Sequence, residues 1–157
     1  MNKIKWTELL IFIIGTELVG ALSSLLSGNF SSFYSGLTRP PLSPPGILFP
    51  IVWAILYALM GISAYMVYVS DSDEDEKKKA LGLYALQLFV NFMWSIIFFR
   101  FEQIGAALAV LILLIILVVM MIISFRRIRP LAGYLNIPYL LWLIFAAYLN
   151  TGILILN

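Results

Sequence analysis

The segment IGAALAVLILLIILVVMMIIS, residues 104–124, sets the class of this protein, because it has no charged side chain and consists almost entirely of Leu, Ile, Val, Ala and Met. A transmembrane helix needs about 20 consecutive, mostly apolar residues. Residues 104–124 therefore predict one membrane-spanning helix. Four further segments of similar character lie at about residues 6–27, 47–69, 80–99 and 131–156.

These segments predict an all-α integral membrane protein, a bundle of five transmembrane helices that forms a single domain over residues 1–157. The last segment is longer than one span requires, so we expect it to tilt or to begin with an interfacial turn. The first segment follows Lys3 and Lys5, as the apolar run of a signal peptide follows its basic residues. Its apolar run is too long for that role and contains Glu17, so we interpret it as a retained helix.

The composition excludes the common soluble classes. The chain has 157 residues, of which 62% are hydrophobic and 11% are charged, against about 25% charged residues in an ordinary soluble domain. So much apolar surface cannot be buried inside so small a body, which argues against a soluble enzyme or a nucleic-acid binder. The sequence has no Cys and no His, so no metal site is predicted and the usual strong ligands of haem iron are absent.

The basic residues predict the orientation. Cytoplasmic loops carry an excess of Lys and Arg. Eight of the ten basic residues fall at the N-terminus, in the second connection or in the fourth connection, and they are Lys3, Lys5, Lys77, Lys78, Lys79, Arg126, Arg127 and Arg129. The N-terminus is thus predicted to be cytoplasmic and the C-terminus outside. The acidic run at residues 71–76 is interpreted as a solvated turn.

The first connection, residues 28–46, is long and lies on the predicted outer side. It is rich in Ser, Gly and Pro but also carries Phe30, Phe33, Tyr34 and Leu37. Long loops with apolar side chains of their own are often functional lids. Two interpretations remain open, a lid over a pocket and a plain structural cap. The Ser43-Pro44 pair is typical of the N-cap and first residue of a helix.

Three of the predicted helices carry a stripe of aromatic and amide residues at helical spacing. The stripes are Trp53, Tyr57, Met60, Gly61 and Ala64; Gln87, Asn91, Trp94 and Phe98; and Pro138, Tyr139, Trp142, Phe145, Ala146, Leu149 and Asn150. Residues three and four apart share a helical face, and polar groups inside a membrane usually face the bundle interior. We therefore expect the stripes to converge on a cavity beneath the outer loop.

Two other interpretations of the stripes stay open. Trp and Tyr often form belts at the membrane interface, although Trp53 and Trp94 lie about 8 Å inside their spans at 1.5 Å per residue. The amides can instead join helices, at about 0.6 kcal/mol per hydrogen bond. Glu17 is the one ionisable residue near the middle of a span. We expect it to form a structural hydrogen bond with Gln87, Asn91, Asn150 or a Tyr hydroxyl, rather than to relay protons.

A longer set of residues occurs in a specific order along the chain. It comprises Arg39-Pro40, Pro44-Pro45, Pro50, Trp53, Leu56-Tyr57, Met60-Gly61, Gly82-Leu83-Tyr84, Gln87-Leu88, Asn91, Trp94, Ile97-Phe98-Phe99, Pro138-Tyr139-Leu140, Trp142, Phe145-Ala146 and Leu149-Asn150. In this set the chain resembles the translocator protein family, whose members are also called tryptophan-rich sensory proteins and peripheral-type benzodiazepine receptors. The resemblance covers nearly the whole chain.

The resemblance implies a homodimeric five-helix protein of a bacterial cell membrane that needs no cofactor. It implies a pocket for porphyrins, either protoporphyrin or haem, and for synthetic isoquinoline carboxamide or benzodiazepine ligands. The implied ligand-binding residues are Trp53, Tyr57, Gln87, Asn91, Trp94, Trp142, Phe145 and Ala146. A small-xxx-small pair, Gly105 and Ala109, is weak evidence for a dimer face.

Two positions depart from the family pattern. Mitochondrial members end in a sterol-recognition pattern with a basic residue, whereas no Lys or Arg follows Tyr148 here, which argues against sterol binding through that motif. Val110 stands where many relatives have Asp.

Three functions therefore compete at this point. They are a porphyrin-binding receptor, sensor or transporter; an enzyme that degrades porphyrin with light and oxygen, with Trp53 and Trp142 as its candidate catalytic residues; and a passive channel or scaffold.

Overall fold

The computed structural model of the protein describes residues 3–28 and 30–157, and of Phe30 only the backbone, so the expectation for the Phe30 side chain lies outside the described residues. The described chain is helical and has no strand. Its helices are α1 (Trp6–Leu26), α2 (Phe30–Ser35), α3 (Leu48–Tyr68), α4 (Glu74–Ser95), α5 (Ile104–Ile128), α6 (Pro130–Tyr134) and α7 (Ile137–Leu156), with a π-helical turn at Ile96–Arg100 after α4. Within the described residues, five helices are long and apolar enough to cross a membrane. The predicted fold class is confirmed.

The second long helix begins later than the Ser-Pro pattern predicts. Helix α3 starts at Leu48, and the Ser43 hydroxyl donates instead to the Pro40 carbonyl oxygen over 2.7 Å. The prediction that Ser43 is the N-cap was therefore wrong, because its hydroxyl closes a turn inside the loop. Pro50 falls in the first turn of α3, where its missing N–H leaves no helical hydrogen bond unmade.

The third long helix begins earlier than predicted, at Glu74 rather than at residue 80. The sequence predicted a solvated turn at residues 71–76. In the structure, residues 74–76 instead form the first turn of α4. Acidic side chains are favourable there, because the N-terminal end of a helix carries a partial positive charge. At its other end α4 continues into the π-helical turn, so the whole span is Glu74–Arg100.

The last two spans also differ in detail from the prediction. Helix α5 continues to Ile128, past residue 124, and carries Arg126 and Arg127 in its last turn, where cations are favourable. The fifth span opens with the short helix α6, which precedes the longer α7. The length of the segment suggested a separate turn at its start, and α6 is such a turn.

Helix α1 packs against α3 with a close contact between the two backbones. A Cβ atom built on Gly61 would lie 2.8 Å from both the Ile13 Cα and the Phe12 carbonyl oxygen. Only a glycine allows the two backbones to come so near. At the outer end of α1 the chain turns away at Gly28, whose φ of 82° is the left-handed conformation that glycine adopts most readily.

Helix α5 supplies much of the core. Its side chains Leu111, Leu114, Met121 and Phe125 are fully buried, as are Met60 of α3 and Leu143 of α7. The outer faces of α1, α5 and α7 instead expose Leu and Ile side chains, as expected for surfaces in contact with lipid. The core holds α3, α4 and α7 together, and these are the helices that carry the three predicted stripes.

Candidate functional site: a cavity between three helices

A cavity of about 420 Å³ lies between α1, α3 and α4 in the half of the bundle nearest the loop of residues 28–46. Its lining consists of Glu17, Gly20, Ala21, Ser23, Ser24, Ser27, Phe49, Pro50, Trp53, Ala54, Tyr57, Asn91, Trp94, Ser95 and Phe99. Small-molecule sites usually measure about 300–1,000 Å³, so the volume of the cavity is within the range of such sites. The lining is largely apolar, with a few polar groups from α1 and α4.

Aromatic rings form one wall of the cavity. The Trp53 ring stacks on Tyr57 with 5.4 Å between centroids, and its centroid is 6.5 Å from that of Trp94. Phe99 packs edge-on against Trp94 at 6.1 Å. The structure therefore brings together Trp53, Tyr57 and Trp94, as the stripes on α3 and α4 predict.

A hydrogen-bonded chain behind this wall fixes the position of Tyr57. The Tyr57 hydroxyl donates to Asn91 Oδ1 over 2.9 Å, and Asn91 Nδ2 donates to the Tyr139 hydroxyl over 2.7 Å. The Tyr139 hydroxyl in turn donates to Gln87 Oε1 over 2.7 Å. The chain joins α3, α4 and α7, so these polar groups do connect helices. Of the two amides only Asn91 also lines the cavity, while Gln87 lies behind it.

The Trp94 indole is held in the same way. Its Nε1–H donates to Asn150 Oδ1 over 3.3 Å, and Asn150 Nδ2 donates to the Ile104 carbonyl oxygen over 3.0 Å. The Trp94 N–H is thus used within the protein. A guest meets the face of this indole rather than its donor.

Three predicted site residues of α7 are placed outside the lining. Trp142 packs against Phe49, with 5.7 Å between ring centroids, and Phe145 packs against Trp142 at 5.5 Å. Phe49 lines the cavity, so Trp142 forms a second layer behind it. Ala146 is buried in the core. Helix α7 thus supports the site from behind, through Tyr139, Trp142 and Asn150.

The polar face of α1 was not predicted. Thr16, Ser23 and Ser27 are buried, and all three bond to α4. Thr16 pairs with the Tyr84 hydroxyl, the Ser23 hydroxyl donates to the Phe92 carbonyl oxygen over 3.0 Å, and the Ser27 and Ser95 hydroxyls are 2.8 Å apart. The helical spacing of residues 16, 20, 23 and 27 was the signal that could have revealed this face.

Glu17 lies on the cavity side of α1 but lacks the partner that the sequence suggested. The expected partners are engaged elsewhere, because Gln87 and Asn91 bond to Tyr139 and Asn150 bonds to Trp94. Within residues 3–28 and 30–157, no hydrogen bond to the Glu17 carboxyl is formed. The expectation of a structural hydrogen bond was therefore wrong. The Tyr57, Trp94 and Ser23 donors that line the cavity bond instead to acceptors on α4 and α7.

The loop of residues 28–46 contacts the cavity lining with two of its aromatic rings. Tyr34 is buried and packs edge-on against Phe49 at 5.2 Å, and Phe33 packs edge-on against Phe99 at 6.1 Å. Two hydrogen bonds between Thr38 and Asn157 anchor the loop to the end of α7. The Thr38 N–H donates to Asn157 Oδ1 over 3.1 Å, and Asn157 Nδ2 donates to the Thr38 carbonyl oxygen over 2.8 Å. This arrangement suits the lid interpretation, although it also serves as a structural cap.

Short side chains border the cavity where α1 and α3 face each other. Ala21 and Ser24 of α1 and Pro50 and Ala54 of α3 all line the cavity, and all four are exposed. We call these four residues the lateral gap, because they form an exposed border of the cavity between α1 and α3.

A second recess of about 300 Å³ adjoins the cavity at its outer end. The two spaces share Ser27 and Phe99, and the recess is further lined by Gly28, Ser32, Phe33, Arg100 and Glu102. Arg100 is exposed there. The recess therefore carries one guanidinium group, from Arg100, and one carboxylate group, from Glu102.

Known proteins with similar sequences come from bacteria, archaea and animals. A sequence model of the TspO/MBR family matches residues 10–156. A translocator protein of Sus scrofa is 36% identical over 143 residues, which cover 87% of this chain and 85% of that protein. The tryptophan-rich protein TspO of Chlorobaculum tepidum is 39% identical over 127 residues, with 81% and 80% covered. The tryptophan-rich protein TspO of Archaeoglobus fulgidus is 32% identical over 157 residues, with 100% and 99% covered.

Proposed function

The chain belongs to the TspO/MBR family of membrane proteins, and from this premise we propose that it is a receptor, sensor or transporter that binds porphyrins. The proposed site is the cavity between α1, α3 and α4, which also takes isoquinoline carboxamide or benzodiazepine ligands. The main support is the aromatic wall of Trp53, Tyr57 and Trp94. Indole and phenol faces offer a large, rigid contact area to a flat apolar ring system.

Two parts of the site suit a protoporphyrin. The aromatic wall of the cavity suits its flat ring, and Arg100 in the adjoining recess suits its propionate groups, since guanidinium and carboxylate groups form strong paired hydrogen bonds. The lining contains no His, Cys or Met, so a metal-free porphyrin fits the site without an iron ligand. For haem, Tyr57 is the lining residue of a type that can ligate iron, although its hydroxyl already donates to Asn91.

The roles of the two indoles can be separated by matched substitutions. We expect Trp53→Leu to weaken the binding of protoporphyrin about tenfold, because it removes an aromatic face from the lining. Trp142→Leu should weaken it less than about threefold, because this ring reaches the cavity only through Phe49. The measurement is an absorbance titration of each purified variant in lipid nanodiscs. An equal loss of affinity in the two variants would contradict the proposed site. The same would follow if empty nanodiscs gave the same protoporphyrin titration as the protein.

A second candidate function is the light- and oxygen-dependent degradation of the bound porphyrin. The position of Trp53 favours it, since this oxidisable ring lines the cavity and stacks on Tyr57. Trp142, the other candidate catalytic residue, is shielded by Phe49. We expect illuminated protoporphyrin to yield bilin-like product with the wild type and with Trp142→Phe, but much less with Trp53→Phe. Equal product in dark samples or protein-free micelles would rule out this activity.

The orientation and the oligomer belong to the same proposal. We propose that the basic end of the bundle is cytoplasmic, which places the loop and the cavity mouth outside. Gly105 and Ala109 are both exposed on α5 and provide the proposed contact between two copies. Sterol binding is not part of the proposal, because the basic residue of the mitochondrial pattern is missing.

A further inference from the structure

Among the residues that line the cavity, Glu17 is the one that carries a carboxyl, amino or guanidinium group. The residue lies halfway along α1, which spans Trp6–Leu26. The remaining lining residues are apolar or carry neutral polar groups. A carboxyl group at this depth is costly in a membrane and usually marks a functional position.

The donors around Glu17 are already engaged. The Tyr57 hydroxyl donates to Asn91, the Trp94 indole donates to Asn150, and the Ser23 hydroxyl donates to the Phe92 carbonyl. Within the described part of the chain, Glu17 receives no hydrogen bond from any of them. Its oxygens therefore retain their accepting capacity on the cavity side.

We propose that Glu17 determines the ligand specificity of the cavity by selecting flat apolar guests that carry an N–H donor. This inference rests on the proposed function, since it concerns the same cavity. A guest without a donor would displace solvent from the carboxyl group and leave it unsatisfied, which is unfavourable. A guest with a pyrrole, secondary amide or amine N–H replaces the lost hydrogen bond.

Two isoquinoline carboxamides provide a matched test, one with a tertiary amide and one with the secondary amide that differs by a single N-alkyl group. Their affinities are measured by calorimetry on the protein in lipid nanodiscs, after correction for their partition into empty discs. We expect the preference for the secondary amide to be about tenfold greater in the wild type than in Glu17→Leu. This tenfold change corresponds to about 1.4 kcal/mol of coupling between the donor and Glu17.

Two control variants identify the origin of the preference. Glu17→Gln should keep most of it, because the amide oxygen still accepts a hydrogen bond from a neutral N–H. Glu8→Leu should keep all of it, because Glu8 lies on the same helix but outside the cavity lining. These controls also show whether the loss of any carboxyl group from α1 disturbs the protein.

The outcomes separate this inference from the proposed function. If both amides bind and their affinity ratio is the same in the wild type and in Glu17→Leu, the role of Glu17 is disproved while the cavity remains a binding site. If neither amide nor protoporphyrin binds the wild type above the level of empty discs, the proposed function itself fails.

Discussion

Gly61→Ala should lower the free energy of unfolding by about 3 kcal/mol, at the upper end of the usual cost of overpacking. The added Cβ would meet the Ile13 Cα and the Phe12 carbonyl oxygen, each at 2.8 Å. Both are backbone atoms, so no side-chain rotation relieves the contact and α1 must move away from α3. The loss is measured by titrating the purified protein in mixed micelles with dodecyl sulfate while following tryptophan fluorescence.

Gly15→Ala is the matched control. Apart from its chain neighbours and the nearby backbone of α1 itself, no atom lies within 4 Å of a Cβ placed at Gly15, and alanine favours the helix over glycine by roughly 0.5–1 kcal/mol. We therefore expect this variant to be as stable as the wild type or slightly more stable. If the two variants unfold alike, the close approach of α1 and α3 at Gly61 is not a feature of the protein.

Tyr139→Phe should lower the free energy of unfolding by about 2 kcal/mol, since it removes one hydroxyl that makes two buried hydrogen bonds. The Tyr139 hydroxyl accepts from Asn91 and donates to Gln87, each over 2.7 Å. Both amide groups would remain buried without these partners. The same titration measures the effect, and a cost nearer 0.6 kcal/mol per bond would indicate that the amides find other partners.

Tyr148→Phe serves as the control for this substitution. Its hydroxyl donates to the Pro41 carbonyl oxygen over 2.7 Å at an exposed position, where water can replace the lost donor. We expect a change within about 0.5 kcal/mol. A large loss in this variant together with a small loss in Tyr139→Phe would mean that the loop, rather than the buried chain of hydrogen bonds, holds the bundle together.

The fold could be predicted because hydropathy alone identifies a membrane span. Helix ends were harder, since a helix can continue from the membrane into water. The charged residues from Glu74 to Lys79 lower the hydropathy and hide the start of α4, although they are good helix residues. A capping pattern also cannot separate a helix start from a turn, because the Ser43 hydroxyl that could cap a helix instead donates to the Pro40 carbonyl oxygen.

The candidate site could be predicted in part. Helical periodicity placed Trp53 and Tyr57 on one face of α3, and Asn91 and Trp94 on one face of α4. All four residues line the cavity. Periodicity does not tell which neighbour a face meets. The residues of the α7 stripe therefore have different surroundings: Tyr139 belongs to the hydrogen-bonded chain, whereas Trp142 packs behind Phe49.

The contribution of α1 was missed for a different reason. Its serines and Thr16 have short side chains that lower the hydropathy of the span very little. Their hydroxyls gain importance only through partners on α4, such as Ser95 for Ser27 and the Phe92 carbonyl for Ser23. No property of α1 by itself reveals those partners.

The lateral gap has a consequence for how strongly any guest is held. Its four residues, Ala21, Ser24, Pro50 and Ala54, are exposed and lie within spans long and apolar enough to cross a membrane. If the proposed guest enters by this route, it reaches the cavity from solution in the lipid, and its mole fraction among the lipids governs occupancy. Its total aqueous concentration matters only through partitioning. Adding more lipid dilutes such a molecule and empties the site, even when the amounts of protein and guest are unchanged.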